Sequence, residues 1–231
     1  KTFITNGVNA DFIAVAVQFD RSKGGKGVGI IFVDREESPV EARPITLMGF
    51  DTGDLAELYF DHVRVPKENL LVPEGQGYKT QMSGFHAWRC FVALGACNTA
   101  EKALEYSIKY AQEREQFGKK IGSFQLIQEM LADMKTELDA ARLLTYRALD
   151  LVNRGKIARV ETSMAKHYAT EMAIRVTSKA IQIHGAYGLT SEFPVERLFR
   201  QARIGTIPEG TTQIQKLIIG RELTGINAFR G

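Results

Sequence analysis

The sequence predicts an α+β, multi-domain chain: an antiparallel β region followed by an antiparallel four-helix-type bundle. Three observations carry this. Apolar residues alternate with period two up to about Pro73; the period turns helical after "VPEGQGY" (Val72 to Tyr78); and the helical runs are long and joined by short loops. The change of period sets the expected domains at 1–74 and 75–231.

Four short β-branched and aromatic runs, bounded by Gly, Asp and Pro, are the expected strands: "DFIAVAVQFD" (Asp11 to Asp20), "KGVGIIFVDR" (Lys26 to Arg35), "PITLMGF" (Pro44 to Phe50) and "LAELYFDHVRVP" (Leu55 to Pro66). Between the first two, "SKGGKG" (Ser22 to Gly27) reads as a hairpin tip, because its glycines do not fit GxGxxG. A first helix is expected from about Tyr78 to Tyr110. It is apolar almost all round near Cys90 to Cys97, which predicts burial on several sides. Ser123 is placed to cap a second helix carrying Ile127, Met130, Met134, Leu138 and Ala141 on one face. A third runs near Val160 to His184 and ends in "HGAYG". A short helix around Val195 to Gln201 and a last one from Thr211 to about Gly225 complete the set.

Composition narrows the function classes. Of 231 residues 44% are hydrophobic and 25% charged, ordinary for a globular protein, and the net charge of +3 is a narrow surplus of 30 basic over 27 acidic residues. No Lys/Arg stripe interleaved with aromatics appears, so a nucleic-acid surface is not expected. Cys90 and Cys97 share a helix face as core residues, out of disulfide reach, which makes a reducing compartment the default. Their stretch, "CFVALGAC", is the longest apolar run and falls well short of the roughly 20 residues a membrane span needs. His62, His86, His167 and His184 lie apart without HxH or HExxH spacing, so no metal site is expected. No GxSxG or Walker A pattern occurs.

Four stretches could carry chemistry, and each has a structural alternative. "REQFGKKIGSFQ" (Arg114 to Gln125) is either a solvated connector or a site where guanidinium and amide meet an anion. "IQIHGAYG" (Ile181 to Gly188) sets Gln182 and His184 at a helix end, where Gly185 or Gly188 is equally a C-cap. In "FHAWRCF" (Phe85 to Phe91), Arg89 lies on an otherwise apolar helix, so it is either paired with a carboxylate or functional. In "IPEGTTQIQK" (Ile207 to Lys216), Glu209 stands at the mouth of the last helix beside Gly210. It is either an anion favourably placed near the N-terminus or a base.

Taken together, these stretches resemble the acyl-CoA dehydrogenase family along the whole chain, from "KTFITNG" through "FDHVRVPKENLL", "REQFGKKIGSFQ", "LADM", "IQIHGAYGL" and "FPVERLFRQARI" to "PEGTTQIQ". The resemblance implies a partial middle β-domain, a C-terminal helical domain, and absence of the family's N-terminal helical domain and Thr-Glu-Pro segment. The implied reaction is α,β-dehydrogenation of an acyl-CoA thioester with FAD as hydride acceptor. Glu209 would be the base for the α-proton, its backbone N–H would donate to the thioester carbonyl, and Gly210 would leave room for substrate. Some relatives carry the base on the first long helix of the bundle, where this chain has Trp88; Trp88 would instead narrow the acyl pocket. Arg89 matches a position near CoA. For FAD, the resemblance implies Phe3 against the flavin, Thr5 near N5, and Arg114, Phe117 and Gln125 reaching the cofactor of a neighbouring subunit. It further implies Gln182, His184 and Gly185 at the diphosphate and adenosine end, with Thr211 and Gln213 closing the site.

The same resemblance implies a homo-oligomer, most often a tetramer, or a hetero-oligomer with a chain supplying the N-terminal helices. It also implies an electron-transfer flavoprotein as electron acceptor, and a cytoplasmic or mitochondrial-matrix setting. Two departures stand out: His184-Gly185 replaces a Gly-Gly pair, and Arg200-Gln201 replaces an Arg-Asp pair, with loss of an ion pair expected. The alternatives are a non-catalytic dehydrogenase-like scaffold and an acyl-CoA oxidase.

Overall fold

The computed structural model describes residues 1–49 and 54–228 and divides into two compact units, Lys1–Gly84 and Phe85–Gly231. In the first unit the alternating runs pair as antiparallel strands. Strand β1 (Ile4–Thr5) pairs with β5 (Leu55–Tyr59), which pairs with β4 (Glu41–Pro44). The second sheet runs β2 (Phe12–Gln18), β3 (Val28–Asp34), β6 (Leu70–Val72), with Phe12 opposite Asp34 and Gln18 opposite Val28. The period-two faces meet in a small core of Val15, Val33, Val40, Ala56 and Leu58.

Residues Arg21–Gly27 form 3-10 turns at the tip of the β2–β3 hairpin, where Asp20 accepts from the Ser22 N–H. Two expected strands are shorter than their runs. The strand at "PITLMGF" lies earlier, at Glu41–Pro44: Pro44 has no N–H to extend the ladder, and Gly49 turns at φ 73°. Phe50 is outside the described residues. The run from Leu55 stops pairing at Tyr59, because His62 sits at φ 48°, although Val63 and Val65 still pack on the core. Gly29 and Gly77 bring two backbones together: a Cβ on Gly77 would lie 2.7 Å from the Gly29 Cα, so the absence of side chains seats the start of the first helix on β3.

Helix α1 (Gly77–Glu113) is 37 residues long, roughly 55 Å. It is followed by the ribbon β7 (Glu115–Gln116) and β8 (Lys119–Lys120), then α2 (Gln125–Asn153), α3 (Arg159–His184), α4 (Val195–Ile204) and α5 (Thr212–Thr224). Ion pairs report the packing direction. Glu137 and Asp133 of α2 meet Arg175 and Lys179 of α3, while Arg147 meets Glu161, so the two helices are antiparallel. Thr212–Glu171 and Glu222–Arg159 make α5 antiparallel to α3 in the same way. Met134, Leu138 and Ala141 of α2 are buried against small residues of α3 (Ala165, Ala169, Ala173, Ala180).

Two expectations fail locally. The apolar stretch of α1 buries one stripe, Cys90, Ala93, Ala96, Cys97 and Ala100, and leaves Phe91 56% exposed; a helix on the bundle's outside has only one side to bury. Ser123 does not cap α2. It closes a 3-10 turn, its hydroxyl donates to the Lys120 carbonyl, and Phe124 occupies the cap position. Both cysteines are free and buried, and burial pushes their thiols up to about 11, which makes them inert packing groups. No helix among the described residues is long and apolar enough to cross a membrane.

Candidate active site

The segment between α4 and α5 makes a tight corner. Thr206 is 2% exposed; its hydroxyl donates to the Arg203 carbonyl and accepts from Arg203 Nη1, while its own carbonyl accepts from the Thr212 N–H. At the other end Thr211 caps α5 by accepting from the Ile214 N–H. Between these anchors Glu209 and Gly210 both adopt left-handed backbone, at φ 56° and 91°. For a glutamate this is a strained conformation that persists only where its surroundings over-determine it.

Those surroundings come from three helices. From α1, Arg89, 8% exposed, points Nε at the Glu209 carbonyl at 3.5 Å. From α3, Lys166, fully buried, donates to the Gly210 carbonyl at 2.9 Å. From α5, Gln215, also fully buried, donates to both carbonyls, at 3.0 and 2.9 Å. The Glu209 carboxylate keeps an oxygen, Oε2, that is buried and has no hydrogen-bond partner among the described residues. Burial pushes its pKa above the ordinary range of a carboxylate, while the charges of Arg89 and Lys166 pull it back. Arg89 thus finds the carboxylate neighbour its burial called for.

Trp88 projects outward, 58% exposed, and meets Phe91 edge-on with centroids 6.0 Å apart. Gln213, on the first turn of α5, is exposed. The remaining residues expected near FAD gather elsewhere. Phe117 and Gly118, at φ 54° and 76°, are the two-residue turn of the β7–β8 ribbon. Phe117 is 89% exposed, with Arg114 and Gln125 exposed beside it in sequence. At the end of α3, Gln182 is exposed and Gly185, at φ 61°, would carry a Cβ into open space. His184 is turned inward: 3% exposed, stacked on Tyr110 at 4.3 Å, with Nδ1 2.8 Å from the Ala180 carbonyl. This second cluster therefore lies at the end of the bundle where α1 and α3 finish, about 27 Å along α3 from Lys166 and the Glu209 corner. Its exposed donors, a guanidinium and two amides around a bare glycine turn, are chemically suited to a polar anionic dinucleotide. In the first unit, Phe3 stands at φ 56° and is 65% exposed, and Thr5 is paired in β1. Arg200 is not left without a carboxylate where Gln201 stands in the Arg-Asp position: Glu196, one turn earlier, accepts from it at 2.7 Å.

Reading the sequence missed Lys166, Gln215, Glu171 and Thr212. Glu171 accepts from the Thr212 hydroxyl at 2.6 Å and lends Lys166 a countercharge. The one legible signal was Lys166 itself, a charge on the face of α3 that otherwise holds Thr162, Ala169, Thr170 and Ala173.

A family model described as "Acyl-CoA dehydrogenase, C-terminal domain" matches residues 75–224. Caffeyl-CoA reductase-Etf complex subunit CarC of Acetobacterium woodii is 41% identical over 95% of this chain and 58% of its own length. The short-chain specific acyl-CoA dehydrogenase of Megasphaera elsdenii is 41% identical over 96% and 58%. The solved structure of butyryl-CoA dehydrogenase from Megasphaera elsdenii superposes with a TM-score of 0.94 at 40% identity, over 96% of this chain and 58% of that one. The chain thus spans somewhat more than half the length of the relatives it matches. It belongs to the acyl-CoA dehydrogenase family.

Proposed function

We propose that the protein containing this chain carries out FAD-dependent α,β-dehydrogenation of an acyl-CoA thioester, with Glu209 as the base. The observation that carries this reading is a glutamate in left-handed backbone, its Oε2 buried and unpartnered and its pKa raised by burial. A base at working pH needs an ionised carboxylate that is poorly solvated and free on one oxygen. Glu209 Oε2 takes the α-proton, and the β-hydrogen leaves as a hydride, so one C–C single bond becomes double. FAD, when bound, supplies the acceptor for that hydride. The Glu209 N–H donates to the thioester carbonyl and stabilises the enolate that proton loss creates. Gly210 keeps the approach to Glu209 bare. Trp88 borders the acyl group and favours short, branched or cyclic chains.

The residues proposed to hold FAD fall in two sets. Thr211 and Gln213 stand next to the base; Phe3 and Thr5, also proposed to meet the cofactor, belong to the first unit. Arg114, Phe117, Gln125, Gln182, Gly185 and the backbone of His184 lie at the far end of the bundle. A separation of about 27 Å along α3 favours their serving different copies of the cofactor, as an oligomer of at least two chains allows. The name of the Acetobacterium relative, subunit of a reductase-Etf complex, supports an electron-transfer flavoprotein as redox partner.

The test is Glu209→Gln in the holoenzyme. Turnover is expected to drop by about 10²–10⁴-fold, and bleaching of the flavin by acyl-CoA to slow in step, with flavin content retained. Undiminished turnover would remove Glu209 from the mechanism. Hydrogen peroxide formed in step with turnover would make the enzyme an oxidase.

A further inference from the structure

We propose that Lys166 is a positioning residue for this site: its ammonium, reaching from α3 to the Gly210 carbonyl, joins Arg89 and Gln215 in locking the Glu209–Gly210 corner, and it holds a balancing positive charge beside the Glu209 carboxylate. The functional half of this inference rests on reading Glu209 as the base. The geometric half does not.

Three observations combine. An ammonium with no exposed surface is costly, and packing alone would be served as well by methionine or leucine at that position. Its hydrogen-bond partner is a backbone carbonyl, at 2.9 Å, rather than a carboxylate, so the contact fixes a peptide. That peptide adjoins two consecutive left-handed residues, Glu209 and Gly210, whose carbonyls receive donors from α1, α3 and α5. The charged and titratable groups acting on Lys166 are Glu171 of its own helix, Arg89 of α1 and Glu209 of the corner; His167, next in α3, senses Lys166, Glu171, Arg175 and Lys216 of α5. Burial pulls the Lys166 pKa down to about 8. It is therefore charged at neutral pH and loses its charge in mildly alkaline solution.

The experiment compares Lys166→Met and Lys166→Arg in the flavin-loaded holoenzyme. The protonated Glu209 carboxyl is followed by its infrared C=O band, identified by its disappearance in Glu209→Gln, and titrated with pH. In Lys166→Met the Glu209 midpoint is expected to rise by about one pH unit. The acid limb of kcat/KM should move with it and kcat fall by about tenfold or more, with KM and flavin content little changed. Wild-type kcat is expected to decline as Lys166 loses its proton near pH 8. Lys166→Arg should keep the Glu209 midpoint near its wild-type value without that decline, because a guanidinium does not titrate there. A wild-type kcat that stays level through pH 8 would count against the proposal.

An unmoved midpoint in Lys166→Met, with only a lowered melting temperature, would overturn the proposal and leave Lys166 a structural residue. If Lys166→Met does not fold, the arginine variant decides: a decline near pH 8 that persists overturns it. Should Glu209→Gln retain turnover, the base reading fails separately, and the infrared midpoint still reports whether Lys166 acts on this carboxylate.

Discussion

Glu209 combines two unfavourable states, left-handed backbone and a buried carboxylate, and both are opposed by neighbours rather than removed. The pH consequence follows from sign. The folded pKa of Glu209 lies above its unfolded value, so the folded chain binds the extra proton between the two. Its contribution to stability is therefore present at low pH and is lost as pH rises through the folded pKa. Glu209→Gln removes that loss. At pH 7 the variant should melt at or above the wild-type temperature, and the difference should narrow below the ordinary carboxylate range; thermal melts at several pH values check this. Gly210 is the counterpart. At φ 91° any side chain is strained, and a Cβ would stand 2.7 Å from Gln215 Nε2, the amide that holds both carbonyls. Gly210→Ala should cost about 1–3 kcal/mol in urea unfolding, and should lower kcat more than Gly205→Ala, whose Cβ meets only Thr170 and the Ala202 carbonyl, at 3.3 Å or beyond.

Helix α3 is the element on which the bundle and the candidate site both depend. Its buried face is rich in small residues: Ala165, Ala169, Ala173 and Ala180, with Thr162, Thr170 and Thr177 turning their hydroxyls back to the carbonyls of Ala158, Lys166 and Ala173. Small residues let α2 and α5 approach closely, and a close approach is what carries Lys166 and Gln215 to the same Gly210 carbonyl. Ala173→Leu should therefore overpack the α2–α3 contact at a cost of about 1–3 kcal/mol. Met134→Ala, across that contact and fully buried, should leave a cavity and cost about 2–5 kcal/mol. Denaturant unfolding of each variant measures both. The extent of α3 was plain in the sequence, from near Val160 to its end at His184, as was the start of α5 at Thr211. Lys166 was not read as functional, because a helical wheel ranks its position as buried without saying which backbone lies opposite. The partnership of Lys166, Arg89 and Gln215 joins residues 89, 166 and 215, and no local pattern encodes contacts at such separations. In the sequence, Phe117 and Glu209 are singled out as proposed site residues through family resemblance alone. Their positive φ, the physical mark of strain, is a property of the folded backbone that no local sequence pattern displays.

At the scale of the whole molecule, the helical unit leaves more apolar surface uncovered than isolated side chains explain. Leu143 and Tyr146, one turn apart on α2, are 70% and 56% exposed, and the Phe117 ribbon stands 89% exposed at the end of the bundle. Single exposed apolar residues are ordinary, but adjacent pairs on a long helix mark contact surfaces. An interface is also what the two proposed cofactor-binding sets call for, since Phe117 and Arg114 lie at the other end of the bundle from Glu209. Burying Leu143 and Tyr146 would contribute about 1.5–3 kcal/mol each, and a two-fold contact doubles the sum. The protein should therefore sediment as an oligomer at micromolar concentration. If α2 forms the contact, Leu143→Glu with Tyr146→Glu should shift it toward smaller species while the far-ultraviolet circular dichroism stays helical. Flavin should be lost along with the oligomer, because each dissociated chain would keep only one of the two clusters around a given cofactor. A wild-type monomer that retains stoichiometric flavin would contradict the sharing of cofactors between chains, and with it the division of the site residues into near and far sets.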